Sequence, residues 1–225
     1  MSTTTTNLIK GLQDWHETIN SNFQTVATAI DNNITQLSEM ASVSPLRFGA
    51  KADKITDDTI ALQSAIDYAY EHKLSLNLSG LQMYIAGTIT LPNYIKIYGN
   101  FSANSVTTSI NDSQSLIITN GQNLFSGDAV IFLDGIAFIS GRLLGGLGGI
   151  CFLGGLNESR ITNSYWYGFD IVFNNGIGGV TRIDNNFSIN THISFLKGVM
   201  VDSYVHNNYI NGNGSNTKMF DLSNF

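Results

Sequence analysis

The chain has 225 residues, a formal net charge of −6, and 43% hydrophobic but only 12% charged residues. That balance excludes a chain disordered throughout, and no apolar run reaches the roughly 18 residues that a membrane-spanning helix needs. The eleven Lys and Arg residues are scattered along an acidic chain, which argues against nucleic acid as a partner. A single cysteine, Cys151, excludes an internal disulfide. Residues 1–6 carry neither a basic nor an apolar signal-peptide region, so the chain is expected to be made without secretion. Asn33-Ile-Thr35 and Asn186-Phe-Ser188 then read as chance matches to the glycosylation pattern in a chain with 25 asparagines.

Residues 8–41 carry the clearest helical periodicity. Leu8, Leu12, Trp15, Ile19, Phe23, Val26, Ile30, Ile34, Leu37 and Ala41 follow one another at steps of three and four, and the stripe returns every 11 residues. An 11-residue repeat gives a nearly straight or slightly right-handed coiled coil. The spacing predicts a self-associating stalk over residues 1–43. A helix packed on its own globular domain is the alternative. Ser44-Pro45 ends this helix, because the residue before proline resists the α region.

Residues 44–75 read as a linker and a second, capping helix. Asp57, Asp58 and Thr59 supply N-capping oxygens and first-turn acids, and Ile60, Ala61, Ala65, Ile66, Ala69 and Tyr70 recur at helical spacing to about His72. Two adjacent carboxylates also suit catalysis, but their place just ahead of an apolar helical stripe favours capping.

Beyond Leu74 the pattern changes to short strands with an internal repeat. Ile161-Thr-Asn-Ser-Tyr165, Ile183-Asp-Asn-Asn-Phe187 and Val205-His-Asn-Asn-Tyr209 align at 22 residues, and Phe169–Phe173 aligns with Thr191–Phe195 at the same spacing. Looser relatives run upstream through Ile97, Ile118 and Ile139. So short a unit cannot bury a core alone, whereas stacked copies can. The reading is a mainly β protein: a right-handed parallel β-helix of about seven rungs over residues 76–225, with asparagines stacked at one turn. Ile161, Asn163, Ile183, Asn185, Val205 and Asn207 are expected to point one way. The final segment, Met219–Phe225, reads as a strand, so residues 76–225 are expected to be the N-terminal part of a longer β-helix.

The glycine run Gly145–Gly149 lacks the Lys-Ser/Thr of a phosphate loop and reads as tight corners. His16, His72, His192 and His206 lack metal-ligand spacing, so no metal and no cofactor is expected. The outward positions of the repeat are more informative. Glu158, Arg160 and Thr162, then Val180, Arg182 and Asp184, then Asp202, Tyr204 and His206 form columns that place Asp184 beside His206 and Arg182 beside Tyr204. A second column joins Asp170 to His192, with Asp221 a rung further. Arg160, Arg182, Tyr204 and His206, with Trp166 as an aromatic platform, are the candidate substrate-binding residues. Asp184, Asp202 and Asp170 are the candidate catalytic carboxylates. Asp184 and Asp202 are offset by about 13 Å at 3.3 Å per residue, too far for a glycosidase pair within one chain. A solvated face with weak surface ion pairs is the competing account.

Leu46-Arg-Phe-Gly-Ala-Lys-Ala-Asp53 followed by Thr56-Asp-Asp-Thr-Ile-Ala-Leu-Gln-Ser-Ala-Ile-Asp67 resembles the opening motif of the pectate-lyase-like β-helix superfamily. Tyr84–Pro92 and Ile95–Gly99 are similar to that family's first rungs, with Lys54 in place of a common glycine. Joined to a coiled coil, the module resembles tailspikes and preneck appendages of tailed phages. The resemblance implies a homotrimeric virion protein, assembled in the host cytoplasm and attached to tail or neck proteins by its stalk. It would bind, and in some relatives degrade, a host-surface glycan or teichoic acid. The alternative is a bacterial glycan-degrading lyase or hydrolase of the same scaffold.

Overall fold

The computed structural model describes residues 15–30, 42–102, 114–141, 147–213 and 217–222. The chain divides into two compact units, residues 1–41 and 42–225.

In the first unit residues 15–30 form a helix, α1. Of its apolar stripe, Trp15, Phe23, Val26 and Ile30 are more than half exposed, Phe23 at 68%, and Ile19 is half-buried. Leu8, Leu12, Ile34 and Leu37 of the expected stripe lie outside the described residues. So does the end of the helix assigned to Ser44-Pro45. Ser42–Val43, assigned to the stalk by its sequence, is a strand of the second unit, and Pro45–Phe48 is a 3-10 turn opened by Ser44 and closed by Gly49 at φ 90°.

The second unit is mainly β, built from parallel sheets. Sheet A runs in the order Ser42–Val43, Ser75–Asn77, Tyr94–Tyr98, Val130–Asp134, Arg160–Thr162, Arg182–Asp184, Tyr204–His206. Sheet B runs Asp53–Asp57, Gln82–Ile85, Leu116–Thr119, Ala137–Ile139, Tyr165–Tyr167, Phe187–Thr191, Tyr209–Gly212. Sheet C joins Ile89–Thr90, Phe125–Ser126, Ile150–Phe152, Ile171–Asn174, Ser194–Lys197 and Lys218–Asp221. The chain visits A, B and C in that order and then starts again, so each circuit adds one strand to each sheet. A short extra ladder pairs Leu156–Asn157 with Ile177–Gly178. Strands therefore begin earlier than the sequence suggests, at Ser42 and Asp53 rather than after Leu74.

In the first circuit the second helix, α2 (Thr59–Glu71), follows the sheet B strand in the position that sheet C takes later. Its buried face, Leu62, Ala65, Ile66 and Ala69, belongs to the same apolar cluster as Leu76, Met83 and Ile97. The three capping residues divide their labour differently from the simple expectation. Asp58 makes no side-chain cap. It is buried, and its carboxylate accepts from the Lys51 and Ala52 amides at 2.7 and 2.9 Å. Asp57 takes the capping role, accepting from the Thr59 amide at 3.0 Å and the Ala86 amide at 3.1 Å. Burial works against its charge, but these bonds and the Thr59 hydroxyl hold its carboxyl below the usual range. Nearby, the Thr56 amide, with that of Ile55, lowers Asp53 likewise.

Apolar residues at equivalent positions stack from circuit to circuit. Phe125, Phe152 and Phe173 are in register across sheet C, with ring centroids 5.1 and 5.2 Å apart. Ile161, Ile183 and Val205 are in register across sheet A. At the corner between sheets A and B the two asparagines of the repeat have separate tasks, which corrects the expected stacking. Asn163, Asn185 and Asn207 take left-handed φ of 51–57° and turn the chain. The next residue builds the ladder. The Ser164 amide donates to Asn186 Oδ1 (2.9 Å), the Asn186 amide to Asn208 Oδ1 (3.0 Å), and Asn186 Nδ2 to the Ile161 carbonyl (3.0 Å). Buried backbone groups at the bend, which the sheets cannot pair, are satisfied this way.

Asn186→Ala should therefore cost about 2–4 kcal/mol by orphaning the Ser164 amide and Ile161 carbonyl. Asn185→Ala, at the left-handed position, should cost only about 1 kcal/mol. Urea unfolding of the two variants checks the order; equal losses would refute the division of roles.

Candidate functional site

Sheet A carries the polar chemistry. Alternation along its strands turns two columns outward. The first is Lys96, Phe132, Arg160, Arg182, Tyr204; the second is Tyr98, Asp134, Thr162, Asp184, His206. Both are in register strand by strand. Neighbouring strands lie about 4.8 Å apart, so each column is a row of side chains running across the strands.

Of the residues singled out in the sequence, Arg160, Arg182, Tyr204, His206 and Asp184 come together on this face. Arg160 and Arg182 are exposed and directly opposite each other. Such like-charge pairs across strands are unfavourable. Arg182 lies over the Tyr204 ring at 5.5 Å. Asp184 is 7% exposed, and its Oδ2 is 3.4 Å from His206 Nε2 while its Oδ1 is buried without a hydrogen bond.

The others are placed elsewhere. Trp166 is fully buried: it stacks on Phe138 at 5.9 Å and meets Phe173 and Phe195 edge-on. In the strand Tyr165–Tyr167 the two tyrosines face out and the tryptophan faces in, so the platform expected at Trp166 is not on the surface. Asp202 sits at the other end of the strand, at a left-handed corner (φ 45°) shared with Glu158 and Val180, and the structure does not bring it to Asp184. Asp221 is not in the column expected for it with Asp170 and His192. Ile171 pairs with Ser194, a spacing of 23 rather than 22, because the strand Phe187–Thr191 carries a bulge next to Asn190 (φ 56°). Asp221 instead joins a column with Lys197 and Asn174, and binds Lys218 at 3.0 Å.

Sequence reasoning missed Lys96, Tyr98, Phe132 and Asp134. Asp134 Oδ1 accepts from Thr162 Oγ1 at 2.6 Å and Asn163 Nδ2 at 2.7 Å. Lys96 lies 5.9 Å from the Tyr94 and Phe132 ring centres. Hydrogen bonding to Tyr94, aided by Tyr98, holds its ammonium above the usual range. Away from this face, burial raises the Cys151 thiol well above its ordinary value and suits it to packing rather than reaction. Burial also pushes Tyr165 up to about 12. Among the described residues no three His, Cys, Asp or Glu side chains converge to hold a metal ion. No described helix is long and apolar enough to cross a membrane.

The sequence matches no protein-family model, and neither curated proteins nor solved structures match it. Trp166→Ala should cost about 3–5 kcal/mol as a core deletion, measured by denaturant unfolding. Full stability with altered ligand binding would return Trp166 to the surface site.

Proposed function

We propose that the chain is a right-handed parallel β-helix of about seven rungs, carried on a trimeric coiled-coil stalk, and that it serves as a phage virion appendage attaching to a host-surface polymer. The observation that carries the binding reading is the outer face of sheet A. Two exposed arginines stand opposite each other, with no ion-pair partner among the described residues, between Phe132 on one side and Tyr204 on the other. A linear polymer laid across the strands meets cations, rings and hydrogen-bonding groups at every strand step. Arginine suits the anions of such a polymer, uronate or phosphate, because its planar fork binds oxyanions bidentately. The stalk reading rests on the exposed apolar stripe of α1, which a single chain leaves facing water.

Replacing Arg160 and Arg182 together by Ala should abolish retention on host wall polymer while leaving the oligomeric mass unchanged. Loss of the oligomer would instead make this face a subunit seam. Separately, Ile19→Asp with Ile30→Asp should convert a trimer to monomers in light scattering; an unchanged mass would mean the β unit holds the assembly alone.

A further inference from the structure

Upstream of the arginine pair, Tyr98, Phe132, Asp134, Arg160, Thr162 and Asn163 surround a recess of about 360 Å³ on the outer face of sheet A. We propose that this recess is a subsite for one pyranose residue bearing neighbouring hydroxyls and an anionic substituent. The proposal rests on the groove reading above and assigns the position at which one sugar of the polymer is seated.

Three observations carry it. The first is the orientation of Asp134. Thr162 Oγ1 and Asn163 Nδ2 both donate to Oδ1, which fixes the carboxylate, whereas Oδ2 has no hydrogen bond among the described residues. A carboxylate oxygen only accepts, so its complement on a ligand is a donor, which a sugar hydroxyl supplies and a ring or glycosidic oxygen does not.

Arg160 is the second. It is exposed, in register with Phe132 on one side and Arg182 on the other. Asp134 and Arg160 line the same recess, yet no ion pair joins them, and neither has an ion-pair partner among the described residues. Two opposite charges held apart in one recess suit a ligand with donors on one edge and an anion on the other. An anion there also relieves the repulsion between Arg160 and Arg182.

The rings are the third. Phe132 and Asp134 lie two residues apart on one strand and so share its outer face, and Tyr98 is in register with Asp134. The apolar face of a pyranose has a ring to rest on while its hydroxyl edge meets Asp134. This mixture of aromatic walls and a few fixed polar groups is the usual composition of a small-molecule site.

Asp134→Asn provides a selective test. The asparagine keeps an oxygen for Thr162 and Asn163 but turns a donor toward the ligand in place of Oδ2. Calorimetric titrations of the full chain would use three probes: methyl glucuronoside, methyl glucoside and poly(glycerol phosphate). Crystals soaked in the first would locate it. The glucuronoside should bind in the recess, with affinity falling about tenfold or more in Asp134→Asn and in Phe132→Ala at unchanged thermal midpoint. The glucoside should bind more weakly. Unchanged affinity in Asp134→Asn, or the glucuronoside seated elsewhere, overturns the subsite. Binding of poly(glycerol phosphate) alone, lost in Arg182→Ala but kept in Asp134→Asn and Phe132→Ala, preserves the groove reading and removes the sugar subsite. If the wild-type chain binds none of the three, the groove and the subsite both fall.

Discussion

The structure depends on one demand: a backbone that turns from sheet A into sheet B must leave no buried amide or carbonyl unpaired, and must do so at the same place in successive circuits. The solution is a two-residue corner. One asparagine enters the left-handed region and bends the chain, and the next position reaches from circuit to circuit through Ser164, Asn186 and Asn208. Because the corner repeats without slippage, Ile161, Ile183 and Val205 stay in register, and so do the side chains facing the opposite way. A shift of one residue would exchange the two faces. The ordered outer columns thus follow from the corner as much as from the strands.

The two outer faces differ in chemistry. Sheet A shows cations, carboxylates and rings, while the described strands of sheet B beyond Gln82 carry no charged residue, and their outward positions gather Leu116, Ala137, Ile139 and Tyr165 into a second apolar cluster. The polar face forms a ligand-sized recess where strand spacing, rather than loop conformation, sets the distances between groups. Strands hold such groups more rigidly than loops do, so the spacing of these side chains is set in advance by the sheet.

Much of the strand pairing was legible. In the last three circuits the spacing is a constant 22 across sheet A, and it placed Asp184 beside His206 and Arg182 beside Tyr204. Errors arose where the chain departs from that period. The bulge beside Asn190 makes the sheet C spacing from Ile171 to Ser194 23 residues instead of 22. Upstream the circuits are longer: Asp134 and Thr162 are neighbours across 28 positions, and Tyr98 and Asp134 across 36. No fixed-period alignment recovers those columns, so the repeat gives no sign of Asp134, Phe132 and Tyr98 as neighbours. The asparagine pair and Trp166 failed for another reason. Strict alternation does not continue through a corner with a positive φ, so inward and outward cannot be carried from Ile161 past Asn163 by counting.

Growth of such a stack is quantised. A duplicated 22-residue segment would insert one strand into each sheet, carry its own asparagine corner, and lengthen the outer face of sheet A by a single strand spacing. Side chains already there would keep their immediate neighbours, except at the junction. The outer face can in this way be extended or shortened by whole steps without rearranging its existing neighbours, whereas an insertion of one or two residues must be absorbed by a bulge. The length of that face is consequently a matter of copy number, separable from the identity of the side chains displayed on it.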